Sequence, residues 1–92
     1  MADVVVTMRI MGASPETDLK AVDKEVRSII EKNAGKGAYQ SREEPVAFGI
    51  KALIVSFVMP EEGGKTDAIE NEIQAIDGVE SVSTIDVRRS IG

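Results

Sequence analysis

The sequence predicts an α+β sandwich, and three observations carry that prediction. Four stretches have strand character and two have helical periodicity. They follow one another as strand, helix, strand, strand, helix, strand. A proline at position 45 divides this order into two nearly equal halves of the same plan. Ninety-two residues correspond to one domain, expected to span 1–92.

In the first strand Val4, Val6, Met8 and Ile10 alternate with Val5, Thr7, Arg9 and Met11, so one face is wholly apolar and the other mixed. Gly12-Ala13-Ser14-Pro15 ends the alternation. Ser14 is the expected N-cap of the first helix, Pro15 suits its first position, and Glu16 and Asp18 bring negative charge to its first turn. Leu19, Val22, Val26, Ile29 and Ile30 then form one apolar stripe, and Asn33-Ala34-Gly35 supplies the stop. Gly37 to Glu44 is a polar strand that closes on Pro45, as expected of a sheet edge. Val46 to Met59 is nearly continuous in apolar, β-branched residues from Ile50 onward, which predicts a central strand.

Pro60 to Gly64 reads as a turn, with Thr66 or Asp67 capping a second helix that carries Ile69, Ile73 and Ile76 and ends at Gly78. Val79, Val82, Ile85 and Val87 make the last strand, which ends in Arg88-Arg89. Two such halves predict the ferredoxin-like βαββαβ arrangement, a four-stranded antiparallel sheet with two helices on one face. Each helix has a single apolar stripe and covers one face only. The second face of the sheet is left for water or a partner, and Thr7, Arg9 and Lys51 are expected on it.

Composition narrows the chemistry. The chain has no Cys and no His, which excludes disulfides, thiolate nucleophiles, imidazole acid–base catalysis and the usual structural zinc ligands. Sixteen acidic against eleven basic residues give a net charge of −5, which argues against a general phosphate-neutralising nucleic-acid binder. Three aromatics (Tyr39, Phe48 and Phe57) make a poor base-stacking platform. The N-terminus lacks the basic and small-residue features of a targeting segment, and the apolar run Ala52 to Met59 is too short to cross a bilayer, so a cytoplasmic protein is expected.

Few motifs suggest covalent chemistry. Gly64-Lys65-Thr66 resembles the tail of a phosphate-binding loop, but Met59 stands where that motif needs its first glycine. A turn followed by a helix cap explains it more simply. Glu61, Glu62, Asp67, Glu70 and Glu72 lack the alternate-position spacing of a calcium loop and read as a solvated acidic face. No carboxylate pair is singled out as acid and base. No metal and no cofactor is expected. Phe48, in Pro45-Val46-Ala47-Phe48-Gly49, is less easily dismissed, because proline and glycine mark irregular backbone around an aromatic at a strand end. Two readings compete for it, a core residue and an exposed anchor.

The stretch Glu44-Pro45-Val46-Ala47-Phe48-Gly49-Ile50-Lys51-Ala52-Leu53 closely resembles the signature of the guanine-nucleotide-exchange domain of the elongation factor 1-beta family. Val82-Ser83-Thr84-Ile85-Asp86-Val87-Arg88-Arg89 resembles the closing strand of its archaeal form. The resemblance implies an exchange factor, not an enzyme, that binds the GTPase elongation factor 1-alpha and speeds release of GDP so that GTP rebinds. It implies a partner-binding set of Phe48, Pro45, Gly49, Lys51, Asp86, Arg88 and Arg89, with Phe48 docking into a pocket of the GTPase. A monomer is expected, with no direct contact to nucleic acid or membrane.

Eukaryotic members carry a lysine near the chain end that approaches magnesium, whereas no lysine follows Lys65 here. Loop displacement around Phe48 and the closing strand is the mechanism that remains. The net charge of −5 implies positive charge on the facing surface of the partner. The alternative from another class is a ferredoxin-like regulatory module that binds a small ligand or a metal. An acylphosphatase-like enzyme would need an arginine in Gly12-Ala13-Ser14-Pro15, and an RNA-recognition domain would need aromatics on the first strand; neither is present.

Overall fold

The computed structural model describes residues 3–35, 37–47, 49–60 and 66–89. Within them the elements are β1 (Asp3–Gly12), α1 (Leu19–Ala34), β2 (Tyr39–Ala47), β3 (Ile50–Pro60), α2 (Thr66–Gln74) and β4 (Val79–Arg89). The sheet order is β2-β3-β1-β4 and every pairing is antiparallel. With two helices in this element order, the chain has the ferredoxin-like α+β fold.

Alternation in β1 divides the molecule. Val4, Val6, Met8 and Ile10 are buried against the helices, and the core they begin is completed by Leu53, Val55, Phe57 and Met59 of β3. Leu19, Val22, Val26 and Ile30 of α1 and Ile69 and Ile73 of α2 close it from above. Ile69 and Ile73 are fully buried, and truncating either to alanine in such a core costs about 2–5 kcal/mol. Ile76 stays in the core although α2 ends at Gln74, because the turn that follows keeps hydrogen bonds from Ala75 N–H to the Glu72 carbonyl and from Ile76 N–H to the Ile73 carbonyl.

Polar contacts fix the helices to the strands. The Tyr39 hydroxyl of β2 donates to Asp23 of α1, and the Ser41 hydroxyl donates to the same carboxylate at 3.0 Å. Burial above all, and then the hydrogen bond to Asp23, pushes the Tyr39 hydroxyl pKa far above its ordinary value. Between the helices, Lys32 Nζ and Asn33 Nδ2 each donate to Glu72 at 2.7 Å. The bond from Lys32, followed by that from Asn33, holds the Glu72 carboxyl below its ordinary pKa. Thr84 of β4 donates to Glu70 of α2.

Three local expectations are corrected. The helix cap is Asp18, not Ser14: its Oδ1 accepts from Lys20 N–H at 3.1 Å and Ala21 N–H at 3.3 Å. Ser14 is instead engaged in its own turn, where its hydroxyl accepts from Glu16 N–H and its carbonyl from Thr17 N–H. Secondly, the break between β2 and β3 does not fall at Pro45. Pro45 lies inside β2 opposite Lys51, and the register shifts between Pro45 and Ala47. An edge strand tolerates its missing N–H.

Thirdly, Lys51 is not on the open face. Ala52 pairs with Met11, which puts Lys51 on the helix side with Leu53, while Thr7 and Arg9 do lie on the open side. The expected turn over residues 60–64 falls mostly on residues outside those described, as does Lys65 of the phosphate-loop comparison.

β4 carries a bulge. Thr84 pairs with Met8 but Asp86 pairs with Thr7, leaving Ile85 as an extra residue. Ile85 at the bulge and Val87 beyond it are large apolar residues 52% and 54% exposed.

Candidate functional site

At one end of the sheet, the β2–β3 connection meets the start of α1. Gly49 has φ +78, a left-handed conformation that residues with a Cβ adopt at a cost. A Cβ built there would lie 3.9 Å from Cβ of Pro15, an ordinary contact, so the constraint is backbone conformation and not space. Lys51 and Glu43 share a shallow hollow with Ser14, Pro15, Thr17 and Asp18. The Lys51 ammonium is 3.9 Å from Glu43 Oε1, a loose and largely exposed pair of little energetic weight. Pro45 is exposed opposite Lys51. The structure therefore brings Pro45, Gly49 and Lys51 together. Phe48, the expected anchor, lies outside the described residues. No sequence pattern pointed to Asp18 and Glu43 as neighbours of Lys51; strand register and the helix cap put them there.

The remaining predicted residues are elsewhere. Asp86 pairs with Thr7, Arg88 with Val5 and Arg89 with Val4. Met11, which marks the level of Ala52 at the hairpin end, is six residues along β1 from Val5. At about 3.3 Å per residue, Asp86, level with Thr7, is about 13 Å from the hairpin level along the strand, and Arg88, level with Val5, about 20 Å. Asp86 and Arg88 face the open side and form an ion pair, with Arg88 Nε 2.8 Å from Asp86 Oδ2. Arg89 falls at the register of Val4 on the helix side. The predicted set thus falls into two groups, one at the hairpin end and one from the middle of the sheet towards its other end.

Among the described residues no group of three or more acidic, His or Cys side chains is arranged to hold a metal. No described helix is long and apolar enough to cross a membrane.

Comparison with known proteins places the chain in a family. The family model described as the EF-1 guanine nucleotide exchange domain matches residues 5–89, from the first strand through the last. The chain belongs to the elongation factor 1-beta family. A curated relative from Methanothermobacter thermautotrophicus, named elongation factor 1-beta, is 40% identical over 97% of this chain and 98% of its own. Relatives of the same name from Natronomonas pharaonis and Methanoregula boonei are 40% and 38% identical, over 97% and 95% of this chain and 99% and 96% of theirs. The elongation factor 1-beta match therefore includes the hairpin end, the bulged β4 and the helices between, and its domain description implies an exchange factor that acts on a GTPase.

Proposed function

We propose that this chain is the exchange factor for elongation factor 1-alpha, releasing GDP so that GTP rebinds, through contacts in both groups of residues. The observation that carries this reading is the separation along the sheet between Pro45, Gly49 and Lys51 at the hairpin end and Asp86 and Arg88, about 13 and 20 Å away. A small ligand fills one concave pocket, whereas groups this far apart, Lys51 on the helix side of the sheet and Asp86 and Arg88 on the open side, suit a macromolecule. The family match supplies the class of that macromolecule, a GTPase. Phe48 is the proposed anchor, beside a glycine whose positive φ sets the direction of the chain.

The chain acts as a monomer in the cytoplasm, as one domain over 1–92, and makes or breaks no covalent bond. Its work is differential binding: it holds the nucleotide-free GTPase more tightly than the GDP complex, and by reciprocity GDP binds the complex less tightly. A thousandfold faster release takes about 4 kcal/mol from the dissociation barrier. A buried Phe anchor supplies about 1.5–3 kcal/mol of that.

The test is release of fluorescent GDP from elongation factor 1-alpha with wild type and Phe48→Ala. The wild-type chain accelerates release, and the variant loses at least about tenfold of the acceleration. No acceleration by the wild type refutes the exchange reading; full activity in the variant refutes only the anchor.

A further inference from the structure

The open face of the sheet has an arginine that the fold does not use. Arg9 stands at the middle of β1, between Ile54 of β3 and Ser83 of β4. Its Nε is buried and has no hydrogen-bond partner among the described residues. Buried donors are almost always paired, and one left unpaired costs stability. The neighbouring hydroxyls do not serve it, since Thr7 and Ser56 bond each other at 3.2 Å. Arg42 of β2 is in register on the far side of Ile54, so the row across the sheet is Arg42, Ile54, Arg9, Ser83. Ile54, on a face that no described helix covers, is only 5% exposed, and long arginine stems stand in register on both sides of it. Arg88 adds a third guanidinium to the same face.

We propose that this face, centred on Arg9, receives an acidic segment of the protein partner, with one of its carboxylates hydrogen-bonded to the Arg9 guanidinium. The inference rests on the exchange reading and adds to it a third contact, between the two groups. Arg42 and Arg88 already have carboxylates, Glu44 at 3.7 Å and Asp86 at 2.8 Å, while Arg9 has none among the described residues. Arg9 and Arg42 are two strands apart, about 10 Å, which is too far for one carboxylate to bridge and suits two acidic side chains of one segment. A bidentate guanidinium–carboxylate pair is the strong form of this contact.

A polynucleotide fits less well. Tyr39 and Phe57 are on the helix side, so the face has no aromatic for stacking among the described residues, and the chain is acidic overall. On this face the positive partner surface expected from the net charge of −5 is reversed in sign.

The test compares Arg9→Met, which keeps the apolar stem but removes every donor, with wild type. It measures the thermal midpoint, affinity for nucleotide-free elongation factor 1-alpha, and GDP release. Removing an unused donor leaves the midpoint unchanged or raises it, while affinity falls about tenfold, or about 1.4 kcal/mol. Arg42→Met, whose guanidinium already has Glu44, loses less affinity. Wild-type affinity and exchange in Arg9→Met overturn the inference and leave the exchange reading intact. A lowered midpoint together with lowered affinity also overturns it, because Arg9 is then a packing residue. Binding of a single-stranded RNA oligonucleotide that depends on Arg9, with no change in affinity for the GTPase, assigns the face to nucleic acid instead. Failure of the wild type to accelerate GDP release refutes the exchange reading itself.

Discussion

Replacing Gly49 by alanine isolates what the hairpin tip requires of its backbone. The φ of +78 puts residue 49 in the left-handed region, where a Cβ costs about 1–2 kcal/mol. No steric contribution adds to this, because the nearest atom to the new methyl group is Cβ of Pro15 at 3.9 Å. An unfolding entropy of about 2.1 cal/mol/K per residue gives a 92-residue chain about 0.19 kcal/mol/K, so the thermal midpoint falls by about 5–10 °C. Asparagine enters the left-handed region more readily than alanine does, so Gly49→Asn loses less. Both variants are measured by circular dichroism melts and urea titration, and GDP release is measured well below either midpoint. An alanine variant as stable as wild type, or no more destabilised than asparagine, would refute the argument, since the backbone then relaxes to a conformation that alanine accepts. If the tip also orients Phe48, exchange falls further in Gly49→Ala than the fraction folded does.

Two predictions concern pH. The folded state holds the Tyr39 proton past the ordinary value of 10.0, so stability falls as pH rises above about 10, where the unfolded tyrosine ionises and the folded one does not. Tyr39→Phe lowers stability at neutral pH by about 1 kcal/mol through loss of the bond to Asp23, and this deficit shrinks above pH 10; urea titrations that stay parallel across that range refute the assignment. Glu72 has the opposite sign. Its folded carboxyl titrates below the ordinary 4.5, so its contribution is complete above that pH and is lost as pH falls through the lower folded value. Glu72→Gln is therefore less stable than wild type near neutrality, with a difference that closes in acid, and a difference independent of pH would count against the Lys32 and Asn33 bonds.

Where periodicity is one-sided the sequence is easy to read. β1 buries Val4, Val6, Met8 and Ile10 on one side only, and α1 has a single stripe, so both elements and their inward faces are legible from spacing. β3 hides its parity. Ala52 and Ile54 are buried on the open face and Leu53 and Val55 in the core, so the run is apolar throughout and nothing in it says on which side Lys51 falls. The cap of α1 is ambiguous for a different reason. Ser14 and Asp18 are both good local acceptors, and the choice between them depends on the turn in which Ser14 N–H donates to the Thr17 hydroxyl and Thr17 N–H to the Ser14 carbonyl. The distance between the two halves of the candidate site is set by strand register, which no residue type in either half encodes. The resemblance groups these residues by family; the sheet separates them.

The extra residue in β4 decides which charges the partner meets. Carried on from Thr84 without a bulge, strict alternation would place Asp86 opposite Val6, in the centre of the core, and Ile85 and Val87 on the open side. One added residue reverses the parity of everything after it, so that Asp86 and Arg88 join Thr7 and Arg9 on the uncovered face. The break in alternation from Val82 to Ile85 is its trace in the sequence. Insertion or loss of a single codon at this point thus exchanges the inward and outward residues of the end of the chain's last strand, replacing Asp86 and Arg88 by Ile85 and Val87 beside Arg9 without any substitution.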